Sequence, residues 1–142
     1  MNRLGRLMTA LAVAGLVAGT ATAQEKKLIA PVRGEATLDI TKPDTKLVAG
    51  EVVTKMTVRN TSKGAIAGLK IEENWYDKSG NPVGGDTYRH PRPLKEGEVI
   101  AITLKTPRTP AMQSNQYQFT HANGSVKPKV VPKLVVTPAT TS

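Results

Sequence analysis

The chain has 142 residues, no cysteine and a formal net charge of +9 at pH 7. Its length suits one domain built around a single core, and the lack of cysteine excludes disulfides, thiolate metal sites and a lipid-modified cysteine after a signal peptide. The positive charge favours anionic or acidic partners, although it also helps solubility.

Residues 1–23 have the three-part layout of a secretory signal peptide. Arg3 and Arg6 precede a small, apolar run, Leu7–Gly19, and the segment closes on Ala21-Thr22-Ala23, which matches the A-x-A cleavage pattern. A membrane anchor is the alternative, but the apolar run is shorter than the roughly 20 residues that a spanning helix needs. We therefore predict cleavage after this triplet, a bacterial periplasmic or secreted location, and no membrane-spanning segment in the mature chain.

An N-terminal extension, residues 24–34, leads into a region where apolar residues recur with period two, which predicts strands rather than helices. The alternation is clearest in Glu51–Asn60, where every second residue from Val52 to Val58 is apolar or threonine. The predicted strands are, in chain order, Glu35–Ile40, Glu51–Asn60, Leu69–Tyr76, Val83–Arg89, Val99–Thr106, Tyr117–Ala122 and Ser125–Lys127.

Short strands at this even spacing predict a sandwich of two antiparallel sheets. Asn123-Gly124 between the last two strands is a strong hairpin signal. About seven strands in roughly a hundred residues are typical of an all-β, immunoglobulin-like or fibronectin-III-like antiparallel β-sandwich. We place this domain at residues 35–131 and predict an extended or disordered tail at residues 132–142, where lysine and proline alternate with valine.

The third predicted strand ends in the only tryptophan of the chain. Alternation places Trp75 on the apolar face, so we expect it to fill the core, while Tyr76 lies on the other face. Glu73 interrupts the apolar face. Asp77 is expected to open a turn by accepting hydrogen bonds from backbone N–H groups, and Gly80 to supply its positive φ.

These packing and turn residues carry a resemblance to a known family. They are the run Val58-Arg59-Asn60-Thr61-Ser62, then Leu69, Ile71, Glu73, Trp75-Tyr76-Asp77 and Gly80, and finally Leu94 and Gly97-Glu98. Together they resemble the FxLYD-type domains, immunoglobulin-like modules of exported bacterial proteins. Glu73 stands where that pattern has an aromatic residue, and Trp75 where it has leucine. The resemblance implies a non-catalytic interaction or envelope-associated module, and it carries no functional residues over because the motif residues are structural.

No catalytic or metal-binding pattern is found in the mature sequence. A nucleophile would need a histidine base, and neither His90, among cationic neighbours, nor His121, in a predicted strand, has an orienting carboxylate nearby in sequence. The triplet Asp77, Ser79 and Asn81 spaces its oxygen ligands as a calcium loop does, but proline replaces the required glycine and tyrosine the bidentate glutamate. We therefore expect no enzymatic activity, no metal site and no cofactor.

One basic cluster is a candidate for anion binding. Arg89, Arg92 and Lys95 lie within seven residues, and Arg108 is expected to approach them from the end of a neighbouring strand. Such a cluster can hold phosphate or carboxylate groups. Solvated surface is the alternative and the commoner outcome.

The function predicted from these observations is an exported, non-catalytic binding or assembly module that contacts an envelope or secreted protein. An exposed sheet edge, either the first strand or Ser125–Val131, is expected to accept a strand of the partner. The alternative is a cationic binder of anionic polymers or lipid head groups that uses Arg89, Arg92, Lys95 and the lysines of the C-terminal tail. A dedicated nucleic-acid role is not expected, because the chain is predicted to be exported and has few aromatic residues.

Overall fold

The structure, a computed structural model, describes residues 30–138. Eight strands and no helix form within this range. The strands are β1 (Ala36–Thr41), β2 (Asp44–Val48), β3 (Glu51–Asn60), β4 (Lys70–Tyr76), β5 (Pro82–Arg89), β6 (Val99–Pro107), β7 (Ser114–His121) and β8 (Gly124–Val131). The all-β prediction is confirmed. Residues 30–138 contain no helix that could cross a membrane. The predicted signal peptide lies outside the described range.

The eight strands belong to one continuous, curled sheet. Hydrogen bonds join them in the order β2-β3-β1-β8-β7-β4-β5. β2 and β1 pair with the two ends of β3, and β6 pairs with the opposite side of β3. The curl brings β5 close to β6, where Asp86 Oδ2 accepts a hydrogen bond from the backbone N–H of Lys105 at 2.8 Å. At this seam a side-chain carboxylate thus accepts a hydrogen bond that a backbone carbonyl accepts in a regular strand pair.

The prediction of a wholly antiparallel arrangement was wrong at one position. β8 pairs with β7 only through Thr120–Ser125 and His121–Gly124. It then crosses to β1 and runs parallel to that strand over its whole length, from Ala36–Val126 to Thr41–Val131. β8 therefore connects the group β6-β3-β1 to the group β7-β4-β5.

The core lies inside the curl and takes side chains from both groups of strands. The alternation in β3 predicted its contribution correctly, since Met56 and Val58 are buried while Lys55 and Arg59 are exposed. The loop after β3 adds Ile66 and the loop before β6 adds Leu94, which exchange backbone hydrogen bonds at 2.9 Å. The core consists of Ala36, Leu38, Ile40, Met56, Val58, Ile66, Leu69, Ile71, Leu94, Ile102 and Leu104.

β2 was not predicted, because all five of its residues are exposed and it has no apolar face. A two-residue turn, Ala49 and Gly50 with φ of 50° and 80°, joins it to β3. Positive φ at both positions is the geometry of the tight turns that match strand twist. At its other end β2 is separated from β1 by Lys42 and Pro43.

The β7–β8 hairpin exists, but its turn differs from the prediction by one residue. His121 pairs with Gly124, so Ala122 and Asn123 are the turn residues. Gly124 has φ of 154°, and a Cβ there would overlap the carbonyl oxygen of Gly34. The glycine of the Asn-Gly pair therefore permits a close approach of the N-terminal segment rather than a turn conformation.

Asn60, at the end of β3, holds the loops at one end of the sheet together. It is fully buried, and its Nδ2 donates to the carbonyl oxygens of Gly64 at 2.8 Å and Leu94 at 2.9 Å. Its Oδ1 accepts from the N–H of Ser62 at 2.8 Å. One side chain therefore bonds three backbone groups of these loops, of which only the Leu94 carbonyl has a second partner within residues 30–138, the N–H of Ile66.

Both flanking segments contact the sheet. Val32 donates its N–H to Ala65, and Gly34 donates to Asn123. After β8, residues 132–138 cross to β6, where the N–H of Thr137 donates to Val99 at 3.0 Å and the Thr137 Oγ1 accepts from the N–H of Val99 at 2.8 Å. This part of the predicted tail is extended and bonded to the edge of β6.

Candidate functional site

The expectation that Trp75 fills the core was wrong. Trp75 is half-buried and does not belong to the core cluster. Glu73, two residues earlier on the same face, is fully buried instead, and the indole Nε1–H of Trp75 donates to its Oε1 at 3.0 Å. The ring thus lies at the edge of the core and supplies a hydrogen bond to a carboxyl group inside it.

Glu73 is the centre of a buried polar network that links β2, β3, β4 and β7. Its Oε2 accepts from Thr54 Oγ1 at 2.7 Å and from Asn115 Nδ2 at 3.3 Å. Thr54 in turn lies 3.0 Å from Thr45 Oγ1, and Asn115 Nδ2 also donates to the Tyr117 hydroxyl at 3.0 Å. Burial raises the pKa of Tyr117, and its interaction with Glu73 adds to the rise.

The partners of Glu73 are all neutral donors, which suits a structural role better than a chemical one. Among residues 30–138, no three His, Asp or Glu side chains come together as metal ligands would. Because each strand of the network supplies a different donor, the carboxyl group fixes the relative positions of these strands.

The turn after β4 is built around Asp77. Its Oδ1 accepts from the N–H groups of Ser79 at 2.9 Å and Asn81 at 2.8 Å. Gly80 has φ of 83° and donates its N–H to the Asp77 carbonyl. Tyr76 is half-buried at the end of the strand. The Oδ1 and the backbone carbonyl of Asp77 are thus both occupied by hydrogen bonds within the turn.

The structure does not bring the four predicted anion-binding residues into one site. Arg92 donates to both carboxylate oxygens of Glu98, at 2.9 and 2.5 Å, and the Lys95 N–H also donates to Glu98. Arg89 is exposed opposite Lys70. Arg108 follows the far end of β6, nine residues beyond Val99 and so about 30 Å away along an extended strand.

Arg92 and Lys95 line a cleft of about 740 Å³ at the β5–β6 seam. Its lining also includes Tyr88 of β5, the first residues of β6 and residues 136–138. Glu96 and Glu98 also line it, so its two basic side chains are matched by two acidic ones. This balance gives the cleft no net preference for anions.

Tyr88 and His90 form a neutral pair beside this cleft, with the Tyr88 hydroxyl 2.7 Å from His90 Nδ1. Burial lowers the pKa of His90, and the Arg92 guanidinium lowers it further, while Glu98 acts in the opposite direction. Burial raises the pKa of Tyr88. Glu98 lies near both groups but is bonded to Arg92, so within the described residues neither group has a carboxylate as a hydrogen-bond partner.

We expect His90 to make stability depend on pH. The unfolded chain takes up a proton at the ordinary histidine pKa of 6.5, whereas the folded chain takes it up only at lower pH. Stability is therefore complete above the unfolded pKa and is lost as the pH falls from it toward the folded pKa. Urea unfolding at about pH 7.5 and pH 5.5 should show a larger loss for the wild type than for His90→Gln. Equal losses in the two proteins would contradict this assignment.

Of the two sheet edges that the sequence predicted, one is absent and the other is open. β1 is not an edge, because β3 and β8 flank it. β8 has an open outer side beyond Ser125, but it carries Lys127, Pro128 and Lys129, which oppose edge pairing. β2 is one of the two terminal strands of the order and pairs with β3 alone. The other terminal strand, β5, lies close to β6.

The free groups of the β2 edge follow from its turn. Val48 and Glu51 lie on either side of a two-residue loop and are paired by hydrogen bonds. The backbone groups of successive residues in a strand point to alternate sides, so those of every second residue of β2 point away from β3. The N–H and C=O groups of Thr45 and Leu47 therefore point away from β3. Within residues 30–138 no hydrogen-bond partner contacts them.

No protein-family model matches the chain, and no curated protein matches it. Among solved structures it is similar to the one described as the structural characterization of IrmA from Escherichia coli. That likeness has 13% sequence identity and a TM-score of 0.42, and it covers 72% of this chain and 99% of the other.

Proposed function

We propose that this chain is an exported, non-catalytic binding and assembly module that makes protein–protein contacts in the cell envelope by strand addition to β2. The observation that carries the proposal is the uncovered β2 edge. Five consecutive residues are exposed, and the outward N–H and C=O groups of Thr45 and Leu47 have no partner in the described part of the chain. An added strand would satisfy them with main-chain hydrogen bonds.

The finer architecture that we propose is an immunoglobulin-like β-sandwich. Its support is that the group β6-β3-β1 and the group β7-β4-β5, which β8 connects, contribute apolar side chains to one core. The resemblance to FxLYD-type domains points to the same class of module. The signal-peptide pattern of residues 1–23 supports export.

Binding of anionic polymers or lipid head groups has weaker geometric support. The Arg92 guanidinium is already neutralised by Glu98, and Arg108 lies at the other end of β6. A cleft with balanced charge does not concentrate anions.

The test is capture from envelope extract by immobilised residues 24–142, with elution in a salt gradient. Thr45→Pro removes an outward N–H from the β2 edge, and Thr45→Val is the matched control because it keeps that N–H and loses only the hydroxyl. We expect one protein to be retained through moderate salt by the wild type and Thr45→Val, and to be lost with Thr45→Pro. Retention of only anionic material that all three variants release at low salt would overturn the proposal.

A further inference from the structure

We infer that the strand added to β2 is β2 of a second copy of this chain, paired antiparallel with Thr45 opposite Thr45. The inference rests on the proposed function, because it names the partner of the same edge. It identifies a symmetric dimer in which the sheets of two copies continue into each other.

The backbone of β2 suits this pairing. With Thr45 opposite Thr45 of the second copy, each threonine donates its outward N–H to the carbonyl of the other. Leu47 then lies opposite Pro43 and donates its N–H to the proline carbonyl. Proline has no N–H of its own, so no outward donor of β2 is left without an acceptor.

The charges of β2 select this register. Asp44 and Lys46 lie two residues apart and so on the same face, and they form an ion pair at 3.5 Å within one copy. In the proposed register Asp44 lies opposite Lys46 of the second copy, and Lys46 opposite its Asp44. The four charges alternate in sign, and each directly opposed pair is attractive.

Shifting the register removes this match. A pairing centred on Lys46 also satisfies the outward backbone groups, but it places the two Lys46 ammonium groups directly opposite each other. A pairing centred on Leu47 lies too close to the Ala49 turn, and fewer strand residues overlap. A lysine on an edge strand ordinarily prevents such association, and here Asp44 cancels that effect for a second copy of the chain.

Exposed apolar surface lies beside these charges. Leu47 and Val48 are 53% and 54% exposed, among the largest exposures of large apolar side chains in the described range. In the proposed pair Leu47 packs against Pro43 of the second copy. An interface of this size is small, so the dimer should form in a concentration-dependent way.

Charge reversal with rescue tests the register. Sedimentation equilibrium over a wide concentration range should show dimer formation by the wild-type protein, residues 24–142. Asp44→Lys and Lys46→Asp each place like charges opposite each other and should weaken the dimer about tenfold. The double variant, with both substitutions, restores opposite charges and should return to within about threefold of the wild type. Lys78→Asp, in the exposed turn after β4, changes the net charge by the same amount as Lys46→Asp and should have no effect.

A protein that stays monomeric at all concentrations would overturn the inference, as would single reversals without effect or a double variant without rescue. The capture experiment separates this failure from that of the proposed function. A monomeric protein that still captures an envelope protein through Thr45 overturns the dimer and leaves the proposed function standing. A monomeric protein whose capture does not depend on Thr45 overturns both.

Discussion

Replacing Glu73 by leucine is expected to lower the free energy of unfolding by about 3 kcal/mol or more, although an apolar side chain then enters an apolar region. The reason is the set of donors around the carboxyl group. Trp75 Nε1, Thr54 Oγ1 and Asn115 Nδ2 all donate to it, and a buried donor left without a partner costs about 1–3 kcal/mol. Thr54 is fully buried and Trp75 half-buried, while Asn115 keeps the Tyr117 hydroxyl as an acceptor. The threonine hydroxyl can rotate toward another acceptor, which recovers part of this loss. The indole N–H can only donate, and it loses its acceptor.

Glu72→Leu is the matched control for this prediction. Glu72 lies on the opposite face of the same strand and pairs with Lys70 at 3.1 Å in a partly exposed position. Removal of such a pair should change stability by less than about 1 kcal/mol. Urea unfolding followed by far-UV circular dichroism measures both variants without relying on the indole. If Glu73→Leu were as stable as Glu72→Leu, the network would not contribute to the fold as argued.

Asn60→Ala is expected to be similarly destabilising, by about 3 kcal/mol or more. The substitution deprives the Gly64 carbonyl and the Ser62 N–H of their partners, and it removes one of the two donors to the Leu94 carbonyl, which keeps the N–H of Ile66. Each hydrogen bond lost in this way costs about 1 kcal/mol or more. It also leaves a small cavity, because Asn60 is fully buried.

The same change in an exposed turn provides the comparison. Asn81 donates from its side chain to Asp77 at 3.4 Å on the surface, so Asn81→Ala should cost less than about 0.5 kcal/mol. Thermal and urea unfolding of the two alanine variants would give the difference. Near-equal stabilities would show that the loops at the end of β3 do not depend on the Asn60 side chain.

The sequence predicted the strands that have one buried face, and it missed what depends on contacts between distant parts of the chain. Glu51–Asn60 was predicted with its observed bounds, because alternation and the following turn coincide there. β2 has no buried face, so its sequence shows no alternation of apolar and polar residues. The alternation of apolar and polar residues also does not show which strands become neighbours. The parallel pairing of β8 with β1 therefore had no local signal in the sequence.

The same distinction applies to the candidate site. Glu73 stood out on the apolar face, but its partners Thr54 and Asn115 come from other strands and could not be identified. The pairing of Arg92 with Glu98 did have a local signal, since opposite charges flank a short loop that ends at Gly97. The prediction weighed only the cations of that segment and therefore missed this ion pair.

The parallel pairing of β8 with β1 has a consequence for the order of folding. The paired residues Ala36 and Val126 are about 90 positions apart in the chain, so this contact closes a very long loop. Such contacts form late and slowly, because the entropy of loop closure is lost before the contact gives any stability. Until β8 has been synthesised, β1 lacks a neighbour on one side and the two groups of strands lack their connection. A growing chain therefore remains incompletely folded until nearly the whole described sequence is available.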